Sequence, residues 1–346
     1  MNNNIELIGT AWNLLATAND DIDEFDNEYY SSSSGPVIFV AGKFTQIGGV
    51  TANRSAISYQ SQYSYDFFGQ TSGSLIIGGF NDFDVVSGHF FATGEFEESS
   101  FPKYIGHWDG AEWDGIINPS GHGYAVEASP NIDKVLFAGA FSGYNNILES
   151  NISSPYSVSA FGIGFNDTVF DLAYYNNELY AAGKFTMSGT TSLNYLAKLD
   201  SITGSWVSIG GNNLDGAVLE LEVFENELYI SGIFGPISGD SNTGRLARWD
   251  GSSFKSLSTG ISHSSPSALQ ILKMRSKGEY IYIGGAFDNV GGITVENFAM
   301  FNGTSWSTLG AGIPYIVSAI EVSGEQLFVG TLMDPTTNNA YFYRWE

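Results

Sequence analysis

The chain contains no cysteine, which excludes disulfides, thiolate metal ligands and cysteine nucleophiles. An oxidase built on a cysteine-tyrosine crosslink is excluded with them. Lysine and arginine together number 13 against 37 acids, a net charge of -24, so nucleic acid and anionic membrane surfaces repel it. No apolar run approaches the ~18 residues of a membrane helix, so no membrane insertion is expected. The start, Met1-Asn2-Asn3-Asn4, lacks the basic and apolar regions of an export signal, and none is expected. Histidine is scarce too: His89, His107, His122 and His263 fall far apart, without the short spacings of a metal site. The five arginines, Arg54, Arg245, Arg248, Arg275 and Arg344, are equally scattered, which argues against the clustered arginines of a sialidase.

What the chain has in abundance is glycine (42 of 346 residues) and aromatics (15%), a composition that reads as turn-rich β structure. A phrase of the form apolar-Gly-x-Phe returns throughout: Ala41-Gly42-Lys43-Phe44, then copies ending at Phe96, Phe141, Phe185, Phe234 and Phe287. A decayed seventh copy reads Val329-Gly330-Thr331-Leu332. Successive anchors stand 44 to 53 residues apart, the period of four-stranded propeller blades. One unit shows the layout well: strand A over Val218 to Val223, B over Glu227 to Gly232, C over Arg245 to Asp250 and D over Ser253 to Leu257. Two regions fit poorly. Tyr63 to Phe68 reads as an insertion before a strand D at Gly73 to Gly79, and the third unit shows no clear strand C.

The ends of the chain complement each other. Ala340 to Glu346 occupies a strand C slot with no strand D after it, while Gly9-Thr10-Ala11-Trp12-Asn13-Leu14-Leu15 matches Gly303-Thr304-Ser305-Trp306-Ser307-Thr308-Leu309. The expectation is an all-β, seven-bladed β-propeller forming a single domain over residues 1-346. Its ring is closed by the N-terminal strand, with Trp12, Leu15 and Trp345 at the join.

Leu228-Tyr229-Ile230-Ser231-Gly232-Ile233-Phe234 followed by Leu246-Ala247-Arg248-Trp249-Asp250-Gly251 resembles the kelch-type and galactose-oxidase-like propeller superfamily. Within it the repeats are most similar to those of fungal cortical cell-polarity marker proteins. The resemblance implies a blade architecture and a common use as an interaction platform, and it carries no reaction. Those marker proteins are secreted and membrane-anchored, whereas neither signal nor anchor is expected in this chain. Trp108-Asp109 and Trp249-Asp250 also resemble WD repeats, but no matching Gly-His partner recurs; the pairs read as strand-end packing followed by a turn acid.

The acidic runs Asp20-Asp21-Ile22-Asp23-Glu24 and Asn81-Asp82-Phe83-Asp84 lack the spacing of a Ca²⁺ loop and read as a solvated acidic edge. No metal and no cofactor is expected. Alternation of strand direction sends the B to C and D to A loops to one face, where they are longest. The candidate binding residues on that face are Phe101, His122, Tyr124, Tyr144, Asp215, Asp240, His263 and Asp334. The expected role is a non-catalytic binding or structural module with a protein or glycan partner, exposed on a virion or cell surface. The alternatives are a carbohydrate-binding or carbohydrate-processing propeller and an intracellular kelch-type adaptor.

Overall fold

The computed structural model describes residues 12-26, 37-51, 55-59, 64-67, 77-86, 89-98, 101-108, 113-117, 121-130, 134-152, 156-211, 214-323 and 326-345. Seven antiparallel sheets carry the four-strand unit among these residues. Sheet one holds strands A to D at Ile22-Asp26, Val37-Gly42, Ser55-Tyr59 and Ser64-Phe67; sheet two at Ile77-Val86, His89-Glu98, Phe101-Trp108 and Trp113-Ile117. Sheet three has Gly123-Ala128, Lys134-Gly139, Ile147-Asn151 and Val158-Ala160; sheet four has Val169-Tyr175, Glu178-Gly183, Leu196-Asp200 and Ser205-Ser208. Sheet five follows with Val218-Phe224, Glu227-Gly232, Leu246-Trp249 and Phe254-Lys255, and sheet six with Gln270-Lys277, Tyr280-Ala286, Phe298-Phe301 and Trp306-Ser307. Sheet seven takes A, B and C from Val317-Ser323, Gln326-Thr331 and Ala340-Trp345, and its fourth strand from Trp12-Ala18. The described helices are two 3-10 turns, Ser241-Thr243 and Pro266-Ala268, and no described helix is long and apolar enough to cross a membrane.

The strand B runs explain the stacking. Glu227-Gly232 and Glu178-Gly183 are buried at five consecutive positions, so both faces of these strands need apolar cover. Neighbouring sheets supply it. One core cluster joins sheets four and five through Tyr175, Tyr180, Leu221, Leu228 and Trp249, and another joins sheets five and six through Phe224, Met274, Ile283 and Trp306. Anchors Phe44, Phe141, Phe185, Phe234 and Phe287 are fully buried. The same packing joins the last sheet to the first: Ile22, Val40 and Phe44 share a cluster with Ala16, Ala18, Phe328 and Phe342, and Leu15 packs against it half-buried. Trp12 pairs in backbone register with Trp345, as Trp306 does with Phe301 in sheet six. Trp345 is buried in the cluster between sheets six and seven; the side chain of Trp12 lies outside the described residues.

The repeated glycine has a steric cause. A Cβ at Gly42, Gly139, Gly183, Gly232 or Gly285 would collide with the carbonyl oxygen of Asp21, His122, Thr168, Ala217 or Gln270, where the entry to strand A crosses strand B. In four sheets that carbonyl accepts the N-H of the residue after the glycine, as from Lys184 to Thr168 at 2.9 Å and Ile233 to Ala217 at 2.7 Å. Immediately beyond, every strand A is bulged: the register skips one residue at Asp23, Asn81, Tyr124, Phe170, Leu219, Leu272 and Ser318.

Three expectations need correction. Tyr63 to Phe68 is no insertion, because Ser64-Phe67 is strand D of sheet one, and Gly73 to Gly79 instead runs into strand A of sheet two at Ile77. The third unit does have a strand C, Ile147-Asn151, reached by a short turn through the positive-φ residues Asn145 and Asn146. The seventh copy of the glycine phrase shifts by one residue: Thr331 pairs with Val317, the place Gly285 holds opposite Ile271, and Leu332 N-H donates to Ile316 O.

Replacing a phrase glycine should therefore be costly, whereas Gly244 has room for a methyl group. Gly232→Ala is expected to destabilise by on the order of 2 kcal/mol or more through backbone displacement. Gly244→Ala, at φ -63° with no atom closer than 3.6 Å to the added methyl, should leave thermal melting nearly unchanged. Equal melting of the two variants would contradict the crossing.

Candidate functional site

Six of the seven bulge residues gather at one cavity. A cavity of about 260 Å³ is lined by Asn81, Tyr124, Phe170, Leu219, Leu272 and Ser318, the bulge residues of sheets two to seven, together with Lys43, Asp82, Asp171, Glu220 and Lys273. Sheets three to six contribute an apolar arc, and Asn81 and Ser318 are polar. Tyr124 meets Phe170 edge to face at 5.2 Å, and Lys184 Nζ stands 5.5 Å over the Phe170 ring. This mouth opens on the face of the B to C and D to A loops, since every strand A begins there.

Deeper, a cavity of about 310 Å³ is lined by strands A of sheets two to six, with Asp82, Asp84, Glu127, Asp171, Glu220 and Glu222 facing Lys273 and Arg275. The carboxylates have a structural task. Each strand A is an edge strand, with N-H groups that no further strand satisfies. Val126 N-H donates to Asp82 and Ala128 N-H to Asp84, both at 2.8 Å; Leu221 N-H donates to Asp171 at 2.6 Å and Ser276 N-H to Glu222 at 3.0 Å. Each bond ties one sheet to the next. Lys273 pairs with Glu220 at 3.2 Å and Arg275 with Glu321 at 3.0 Å. The run Asn81-Asp82-Phe83-Asp84 is thus part of the cavity wall, and its reading as a solvated edge is corrected.

This crowding shifts protonation. Burial, reinforced by the charges of Asp84, Asp171 and Asp82, holds the Glu127 carboxyl well above its ordinary range. Burial and the Glu220 charge do the same to Asp171, and burial raises Glu222 against the opposing charge of Arg275.

Most residues expected on the loop face serve as braces. Asp215 accepts the N-H of Gly235 at 2.7 Å, joining the D to A loop to the B to C loop of sheet five. Asn19 and Asn166 hold the equivalent position and accept the N-H groups of Thr45 and Gln46, and of Thr186 and Met187, at 2.8 to 2.9 Å. Asp240 caps Ser241-Thr243 by accepting the N-H of Asn242, and His263 Nδ1 accepts the N-H of Ser265. Asp334 accepts from Thr336 N-H and Thr337 Oγ1, and the first of these bonds leads in holding its carboxyl below the usual range. Tyr144 is half-buried against the core between sheets two and three. Phe101 opens a strand and stands in register with Glu98, and its side chain lies outside the described residues. Among those of the eight whose side chains are described, Tyr124 lines the mouth, with the exposed His122 stacked on it at 6.4 Å.

At the opposite face, Asp250 accepts the N-H groups of Ser252 and Ser253 at 2.8 Å, so the acid after Trp249 is a turn residue as its sequence position suggests. Asn302 repeats that turn with Thr304 and Ser305.

No protein-family model matches the chain, and no curated protein matches it. Among solved structures it is similar to the computationally designed Ika8 protein, at 11% identity and a TM-score of 0.53 over 98% of this chain and 99% of that one. It is also similar to a chain of the Mitotic Checkpoint Complex, at 10% identity and a TM-score of 0.54 over 99% and 93%. At such identities the likeness speaks to fold alone. The chain has a β-propeller-like, all-β fold.

Because Glu127 is raised above the unfolded carboxyl value of about 4.3, its charged form opposes folding, and that cost grows as pH rises through the shifted value. Glu127→Gln should therefore be more stable than the parent at about pH 7.5, with the gain shrinking toward about pH 4.5. Denaturant melts at both pH values check this. A pH-independent difference would contradict it.

Proposed function

We propose that this chain is a closed seven-bladed propeller of the kelch-like kind and serves as a non-catalytic binding module. It engages a protein partner through the face that carries the mouth of the axial cavity. The observation that carries this reading is the division of labour in the loops. Asp215, Asp240, His263 and Asp334 spend their polar atoms on backbone N-H groups, which makes the loops a braced frame. Within that frame His122, Tyr124 and Phe170 offer aromatic surface. Rigid aromatic side chains in a preorganised frame suit recognition, because little conformational freedom is lost on contact.

Closure of the ring rests on two observations: Trp12-Ala18 pairs with Ala340-Trp345, and strand A of sheet one packs on strand A of sheet seven. The low lysine content and the asparagine-, serine- and aromatic-rich sequence favour an exposed setting such as a virion or cell-surface assembly. A glycan is the second class of partner compatible with tyrosine faces, and Tyr315 stacked on Tyr341 at 4.1 Å is the observation that favours it.

A photo-crosslinking residue at position 122, compared with one at position 202, tests the choice of face in the native assembly. Ile202 is 94% exposed in a C to D turn on the opposite face. Crosslinks to a partner from position 122 are expected; crosslinks from position 202 alone would reject the reading. Reproducible turnover of a glycoside, lost on replacing a cavity carboxylate, would reject the non-catalytic part.

A further inference from the structure

The mouth and the deeper cavity share four wall residues, Asp82, Asp171, Glu220 and Lys273, so the aromatic and apolar rim leads directly onto carboxylates. The cations of the wall fall short of its acids. Six carboxylates line the deeper cavity against Lys273 and Arg275, and Arg275 also pairs with a further acid, Glu321. At the rim, Lys43 is engaged by Asp21 at 3.0 Å. Burial first, and neighbouring negative charge second, hold the Glu127 and Asp171 carboxyls above their ordinary range. A cation entering the cavity would relieve the second of these causes.

Hydrogen-bonding capacity and the aromatic rim point the same way. Of the two polar bulge residues, Ser318 spends its one donor on Ile22 O, and Asn81 Nδ2 donates to Gly123 O at 2.6 Å, which leaves the hydroxyl and amide oxygens as acceptors. Lys184 Nζ, 5.5 Å over the Phe170 ring, shows that this ring already takes a cation on its face, and Tyr124 stands beside it with a second ring.

We propose that the mouth admits an arginine side chain of the protein partner, whose guanidinium passes Tyr124 and Phe170 to reach Asp82, Asp171 and Glu220. This rests on the reading of the mouth as the contact face, and it adds the chemistry of what enters. A guanidinium suits the site better than an ammonium for three reasons. Its five N-H donors meet a wall of oxygen acceptors, its plane stacks on aromatic rings, and its weaker hydration lowers the cost of leaving water. An acidic side chain would meet carboxylates instead, so the same wall selects against it.

Titration of the full chain at low salt, followed by amide NMR, tests this. The probes are the capped tripeptide glycyl-arginyl-glycine and its counterpart with citrulline, which keeps the shape and lacks the charge. The arginine peptide should give saturable shifts at amides of 124-127, 170-174 and 219-222, and none at 200-204 on the opposite face. The citrulline peptide should bind at least about 10-fold more weakly. Leu219→Lys, at a bulge position outside the ladder, puts a cation in the mouth and should weaken the arginine peptide by at least about 10-fold. Should that variant melt well below the parent, Leu272→Lys, at the bulge of sheet six, takes its place. Equal binding of the two peptides, no saturable shift in the parent, or arginine binding unchanged in the lysine variant would overturn the proposal. Crosslinks from position 122 without arginine binding would overturn it as well, while leaving the choice of face intact.

Discussion

A strand B buried on both faces needs apolar cover from a neighbouring sheet, and in this molecule the first and last sheets contribute to one shared cluster. The pairing of Trp12-Ala18 with Ala340-Trp345 supplies the last sheet with its outer strand. The cluster of Ile22, Val40 and Phe44 with Ala319, Phe328 and Phe342 then gives the first and last sheets to each other. Two polar bonds cross the same seam: Ser318 Oγ donates to Ile22 O at 2.5 Å, and Met333 N-H to Asp21 at 2.7 Å. Residues more than 290 positions apart in sequence thus share one core.

Stacking the sheets brings strands A of sheets two to six together along one cavity, and this creates a second problem. Their unpaired N-H groups need acceptors, and carboxylates from the preceding sheet provide strong ones. Asp82, Asp84, Asp171 and Glu222 do so at the cost of crowding negative charge, which Lys273 and Arg275 relieve in part and which, with burial, holds the Glu127 carboxyl well above its ordinary range. The acidity of the cavity is in this sense a consequence of architecture. The mouth is freer, because a bulge residue such as Tyr124 or Leu219 stands outside the ladder and can change its side chain without loss of a strand-pairing bond.

The sequence was most legible where one steric rule repeats. The glycine phrase recurs because the backbone crossing recurs, the anchor phenylalanines recur because the same pocket is filled each time, and Trp12 could be aligned with Trp306 because both open a strand D. Legibility failed where a rule is met by other residues. Strand D of sheet one carries Tyr65 and Phe67 in place of tryptophan, so it looked like an insertion. In sheet seven Thr331 takes the glycine's place. The cavity carboxylates were hidden by periodicity: Asp82 and Asp84 alternate with apolar residues as in a strand with one wet face, and only the stacking of sheets shows what that face meets. Loop acids misled for a related reason. An aspartate bracing a loop, such as Asp215, and an aspartate awaiting a ligand have the same sequence signature.

The absence of native cysteine makes the pairing of the two termini directly measurable. Thr17 and Tyr341 are register partners on adjacent antiparallel strands, within the roughly 4.5 to 5.5 Å Cα separation that a disulfide can span. In Thr17→Cys/Tyr341→Cys, mild oxidation of dilute protein should yield one intramolecular disulfide, a monomer that migrates as a closed loop and melts at a higher temperature than its reduced form. Free thiols, or crosslinked dimers alone, would show that the first strand does not complete the last sheet.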